Sequence, residues 1–158
     1  MALTAQQKAT LKTYIEADPT LGPLAASSSF YEISLALSAA VPAFIVWKTN
    51  VSIDEIMRNG MDWARVDNLS VGKARIWDWL GQLGSFDASK TNVRAGIDAT
   101  WVGTAADLAV RAQVYTHCKR SALLAEKLLA AGVGTDANPA TMAYEGEITI
   151  NDVIGIMA

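Results

Sequence analysis

The chain has 158 residues, 51% of them apolar and 18% charged, and a formal net charge of −3. That is apolar enough for one domain with a real core and excludes a disordered chain. The net acidity argues against general nucleic-acid binding, which needs a clustered basic surface. A single cysteine, Cys118, excludes an internal disulfide and fits a reducing compartment. The first residues, MALTAQQKATLK, lack the apolar centre of a signal peptide. The longest apolar run, Ala39 to Trp47, contains a proline and is far too short to span a bilayer.

Leu3 to Ala17 reads as a first helix capped by Thr4 and ended by Asp18-Pro19, because the residue before proline avoids the helical region. TLGPLAASSS, residues 20–29, reads as a loop. Phe30 to Ala40 is a second helix with serine caps before it. Ala43 to Lys48 is an apolar run whose periodicity fits either a short helix or a buried extended segment. Ser52 and Glu55 have capping-box spacing ahead of Ile53, Ile56 and Met57, and Asn59-Gly60 stops that helix. Met61 to Asn68 has no clear period. Ser70 caps a helix from Val71 to Leu83, and Ser89 to Trp101 is another, closed by Gly103.

Thr104 to Ala131 is the longest helical pattern. Thr104 caps it, Asp107 sits where the helix dipole favours an anion, and Gly132 stops it. Apolar residues recur on two stripes, so the expectation is one long helix buried on more than one side. A Gly/Thr/Asp/Asn/Pro loop follows, and TMAYEGEITI then alternates as one strand or a hairpin around Glu145-Gly146. Asn151 caps a last short helix. The fold class expected is therefore mainly α: a helical bundle around residues 104–131, with a C-terminal loop and short β-strand or hairpin arm. Residues 1–131 form the helical body and 132–158 the arm of a single domain.

No residue pattern points to catalysis. His117 is the only histidine, and its neighbour Cys118 projects about 100° away around a helix, so the two make no ready dyad. One histidine and one cysteine do not make a zinc set. GVGTDANP has the glycines of a phosphate cradle but follows a helix and lacks the lysine. Glu145 and Glu147 share a strand face, better suited to a solvated edge or partner contact than to acid–base work. The tryptophans at 47, 63, 77, 79 and 101 read first as core, then as oligomer interface or ligand pocket. No enzyme activity, cofactor or metal is expected. Charge is uneven: Arg58 to Lys127 holds ten basic and seven acidic residues, while the tail beyond carries Asp136, Glu145, Glu147 and Asp152 with no Lys or Arg. An acidic tail on a less acidic body suits a protein that meets a partner with its end.

Three segments carry a resemblance: PAFIVWKT at Pro42 to Thr49, VDNLSVGKARIWDW at Val66 to Trp79, and AEKLLAAGVGTDANPATMAYEGEITINDV at Ala125 to Val153. They resemble a family of short proteins encoded by tailed bacteriophages and prophages. Its members share the MALTAQQ-like start, a proline-led PAF-VW-T segment and a terminal AEKLFATGTGT-A-PATM-EG-I---DV block. Leu129 stands here where the family usually has an aromatic, and Val133 where it often has threonine. The likeness covers most of the chain and is weakest between Thr20 and Ala40.

The resemblance implies a structural virion protein, made in the bacterial host cytoplasm. The narrower expectation is a head–tail adaptor at the head–tail junction. It would form a homo-oligomeric ring of about a dozen copies, head to tail, between portal and tail proteins. It would have no sequence-specific nucleic-acid binding and no membrane partner. In such adaptors an extended C-terminal segment reaches the neighbouring protein. Here that assigns partner binding to Gly132, Gly134, Asn138, Pro139, Met142, Tyr144, Glu145, Glu147, Ile148 and Ile150, with strand addition by Met142 to Ile150. The alternative is another phage structural part, such as a tail completion, capsid-decorating or internal protein. A phage-encoded hydrolase is a more distant third.

Overall fold

Short polar caps start most of the helices in the computed structural model, which describes residues 2–158. The protein is mainly α, with ten helices and two two-stranded sheets among the described residues. No helix among them is long and apolar enough to cross a membrane. The chain divides into two compact units, Met1–Val46 with Ser121–Ala158, and Trp47–Arg120.

In the first unit, α1 (Ala5–Ala17) starts with a full capping box between Thr4 and Gln7. Residues 20–29, expected as loop, contain α2 (Leu21–Ala26). Pro23 falls in its first turn, where a missing N–H leaves no bond unmade. The Asp18 carboxylate accepts from the Thr20 and Leu21 amides at 2.8 and 3.0 Å. α3 (Phe30–Leu37) follows, and then β1 (Ala40–Trp47) settles the ambiguous apolar run as a strand. The buried core joins Leu11 and Ile15 of α1, Ile33 and Leu37 of α3, Tyr144, Ile148, and Val153 and Ile156 of α10 (Ile150–Met157). Each such aliphatic side chain contributes about 1.5–3 kcal/mol by leaving water.

The second unit holds β2 (Val51–Ser52), α4 (Ile53–Arg58), α5 (Trp63–Asp67), α6 (Val71–Gln82), β3 (Ser85–Phe86), α7 (Thr91–Thr100) and α8 (Ala105–His117). Ser52 caps α4, as the capping-box spacing implies, and Asp62 caps α5 within the unassigned 61–68 stretch. β2 and β3 pair antiparallel, Val51 opposite Phe86. Trp77 and Trp101 meet edge to face, with centroids 5.2 Å apart, amid Ile56, Ile97, Val114 and Cys118. Trp101 is fully buried, and its indole Nε1 has no hydrogen-bond partner among the described residues.

Two larger expectations are also corrected. The single helix over 104–131 does not form. α8 ends at His117, Lys119–Leu123 becomes β4 beside β1, and α9 (Leu124–Leu129) completes the stretch. Thr116, His117, Cys118 and Ser121 are weak helix formers, and strand β1, rich in β-branched and aromatic residues, offers a paired alternative that overrides the periodicity. The Cys118 carbonyl accepts from the Lys48 amide and the Ala39 carbonyl from the Leu124 amide, both at 2.9 Å. The second correction concerns the C-terminal arm. No hairpin forms around Glu145-Gly146, and residues 132–158 do not stand off the body, because Tyr144, Ile148, Val153 and Ile156 are buried in the first unit's core.

Candidate partner-binding site

The stretch from Ala131 to Thr141 is a closed loop. Ala131 and Thr141 form an antiparallel bridge, exchanging amide–carbonyl bonds at 2.9 and 2.8 Å. Inside it the chain runs along β1: the Ile45 amide donates to the Gly134 carbonyl at 2.7 Å, and the Ala140 amide to the Ile45 carbonyl at 2.9 Å. Two glycines make this path possible. Gly132 has φ +120°, and a Cβ there would sit 3.2 Å from the Ala140 Cα. Gly134 has φ +72°, and a Cβ there would overlap the Phe44 ring. The loop tip is a tight turn in which Thr135 and Asn138 bond each other's backbone at 3.1 and 3.2 Å, and the Thr135 hydroxyl accepts from the Asn138 amide. Residues 135–138 are all exposed.

Beyond the loop the backbone is tied down. Glu126 of α9 is fully buried, and its carboxylate accepts from the Leu123 amide at 2.8 Å and from the Gly146 amide at 3.0 Å. The Tyr144 hydroxyl donates to the Glu147 carbonyl at 2.8 Å. Ser38 takes the Ile148 amide at 2.9 Å on its hydroxyl oxygen and returns the hydroxyl proton to the Ile148 carbonyl at 3.3 Å. Thr149, rather than the expected Asn151, then caps α10, reciprocally with Asp152, and Asn151 lies inside the helix.

The ten residues assigned to partner binding therefore separate by position. Gly132, Asn138, Glu147 and Ile150 are exposed; Pro139, Met142 and Glu145 are half-buried; Gly134, Tyr144 and Ile148 are buried. The last three shape the loop or fill the core, and strand addition by 142–150 would have to break the Ser38, Glu126 and Tyr144 bonds. The most exposed part of the segment is the loop tip, the turn at 135–138, with Val133 70% exposed beside it. Glu126 and Ser38 escaped notice in the sequence. A glutamate in the first turn of a helix reads as an ordinary dipole-stabilising acid, and nothing local marks its bond to an amide twenty residues on.

In the second unit His117 sits in a small polar cluster. Its Nδ1 lies 3.3 Å from Glu55 Oε1, and its Nε2 lies 3.2 Å from both Gln113 Nε2 and the Asn59 carbonyl. With Nδ1–H donating to Glu55, Nε2 accepts from Gln113, whose amide also donates to Asn59 at 2.7 Å. The His117 bond, with Lys48 nearby at 3.5 Å, holds the Glu55 carboxyl below its ordinary range. Cys118 is fully buried, and burial pushes its thiol up to about 12, so it is inert as a nucleophile. The cluster ties α4 to α8. Arg65 ties α5 to α8 in the same way, donating through Nε (3.2 Å) and Nη2 to Asp107. The Arg65 bonds, then those from Thr104, hold the Asp107 carboxyl at about 2. No group of three metal-ligating side chains occurs among the described residues.

No protein-family model, curated protein or solved structure matches the chain.

Proposed function

We propose that the protein is a structural component of a tailed-phage particle, a head–tail adaptor that forms a ring on the portal and docks the tail. The observation that carries this reading is the closed loop at Gly132 to Thr141, whose turn at 135–138 is exposed. It coincides with the most specific block of the resemblance, Ala125 to Val153. Its path is fixed by the backbone bonds to β1 and the Ala131–Thr141 bridge, and the two positive-φ glycines permit it. A preformed loop loses little entropy on docking, which suits a contact made in register by every subunit of a ring. The docking element is thus the turn at residues 135–138 rather than an added strand. The charge distribution agrees: the chain after Lys127 carries Asp136 in this turn and Glu145, Glu147 and Asp152 beyond it, with no Lys or Arg.

The test is the copy number of the protein in purified particles, measured by quantitative mass spectrometry against the major capsid protein. About a dozen copies are expected of a portal-bound ring. Hundreds would assign the protein to the shell, and none would end the virion reading. Replacing residues 135–138 by Gly-Ser-Gly-Ser is expected to leave the far-UV circular dichroism unchanged and to prevent incorporation. Normal incorporation of that chain would remove the loop from the docking contact.

A further inference from the structure

Of the asparagines in the chain, only Asn59 is followed by glycine. Asn50, Asn68 and Asn92 precede the bulky Val51, Leu69 and Val93, and Asn138 precedes Pro139, which has no amide proton. The Asp152 amide, after Asn151, is taken by the Thr149 hydroxyl at 3.2 Å. Asn59 and Gly60 are both exposed, just past the end of α4. The Gly60 amide makes no hydrogen bond among the described residues.

Two bonds hold this turn. The Asn59 side chain donates to the Glu55 carbonyl at 2.7 Å, and the Gln113 amide of α8 donates to the Asn59 carbonyl, also at 2.7 Å. His117 Nε2 lies 3.2 Å from that same carbonyl. Gly60 lies against Gln113, so that a Cβ on it would sit 2.9 Å from Gln113 Nε2. Asn59 has φ −113° and ψ +74°, which turns the Gly60 nitrogen away from the Asn59 side chain. Bringing the two together needs rotation about the Asn59 Cα–C bond. That rotation swings the carbonyl off Gln113, so the Gln113 bond is the restraint that must break.

We propose that Asn59 is a modification site, converted slowly and without an enzyme to aspartate and isoaspartate, with Gln113 setting the rate. Asparagine is among the thermolabile residues, and glycine after it leaves the attack unhindered. The Gly60 nitrogen gives up its proton to water and bonds to Asn59 Cγ. The Cγ–Nδ2 bond breaks and ammonia leaves, which closes a cyclic imide. Water then opens the imide at either carbonyl. One opening leaves aspartate; the other routes the main chain through Cγ and leaves isoaspartate. Water is consumed, ammonia is released and nothing is oxidised. Isoaspartate adds an atom to the backbone and shifts the carbonyl that Gln113 reaches. Either product places a carboxylate at the C-terminal end of α4, four residues from Glu55, where the helix dipole and the like charge both disfavour it. The modified chain therefore releases α4 from α8. This site does not depend on the particle reading above.

The experiment incubates the folded full chain in mildly alkaline buffer and follows each asparagine by peptide mapping with mass spectrometry, using fragmentation that separates isoaspartate from aspartate. Asn59 is expected to convert ahead of Asn50, Asn68, Asn92, Asn138 and Asn151. Gln113→Met fills the same space without an N–H, and losing that one hydrogen bond is expected to speed conversion about three- to tenfold. Gln113→Glu, which also lacks the N–H, is expected to do the same, and far-UV circular dichroism checks that both variants fold. In the converted chain, hydrogen exchange should be faster at the α4 amides than in the fresh chain. The wild-type map stands without any variant: an Asn59 that converts no faster than the other asparagines overturns the site. Folded Gln113 variants that convert at the wild-type rate overturn the role of Gln113, and unchanged α4 exchange after conversion overturns the release of α4.

Discussion

Removing the buried carboxylate of Glu126 tests how the C-terminal segment is held. Glu126 is fully buried and accepts the Leu123 amide at 2.8 Å and the Gly146 amide at 3.0 Å. A hydrogen bond to a charged group contributes about 1.5–3 kcal/mol, and a buried amide left unpaired costs about 1–3 kcal/mol. Glu126→Ala removes both acceptors at once, so a loss of about 3–5 kcal/mol is expected, a large share of the 5–15 kcal/mol typical of a domain. Glu126→Gln keeps one carbonyl oxygen but turns an NH2 group toward the other amide, and should cost about half as much. Urea unfolding followed by far-UV circular dichroism gives the stabilities. Tryptophan fluorescence is unsuitable, because all five tryptophans lie within residues 47–120. Hydrogen exchange localises the effect: the Leu123 and Gly146 amides should lose protection first. A Glu126→Ala chain within about 0.5 kcal/mol of wild type, or a Gln variant as unstable as the Ala variant, would refute the reasoning.

Other perturbations probe other elements. Asp107 is held at about 2 against an ordinary 3.8, so its contribution is present above pH ~4 and is lost as pH falls through about 2. Thermal unfolding followed by tryptophan fluorescence should lose that acid-side slope in Asp107→Asn, and an unchanged slope would exclude the Arg65 pairing as its source. Burial first, and then the 2.9 Å bond to Asp98, raise the Tyr115 hydroxyl above its usual range. Its stabilisation is therefore present below pH ~10 and lost above it. Tyr115→Phe should cost about 1 kcal/mol at neutral pH and flatten the alkaline limb of a stability–pH curve. Gly134→Ala should cost more than the about 1–2 kcal/mol of left-handed strain, because the methyl group also displaces Phe44. A denaturation midpoint equal to that of wild type would show that the loop relaxes freely.

Much of the helical content could be read locally. Thr4, Ser52, Thr104 and their partners three residues on mark helix starts through bonds that close within one turn. The spacing of Ile76, Leu80 and Leu83 marks α6. The closed loop at 131–141 was legible in part, since Gly132 and Gly134 punctuate the sequence just where the chain turns. The burial of Tyr144 and Ile148 was not, because their alternation with Glu145 and Glu147 suits a strand and equally suits an irregular segment laid on a core.

What the sequence by itself determined is the mainly helical class, the capped starts of α1, α4, α6 and α8, the glycine-punctuated loop and the acidic C-terminal end. Caps, periodicities and charges of this kind act within a few residues of one another. Tertiary structure alone decided that residues 104–131 break at Cys118 into helix, strand and helix, and that the ambiguous run at 43–48 is a strand. It also decided that Glu126 holds Gly146, and that residues 132–158 pack into a core with α1 and α3. Each of these depends on a partner far along the chain. A propensity difference of a few tenths of a kcal/mol per residue yields to the pairing and burial that such a partner provides.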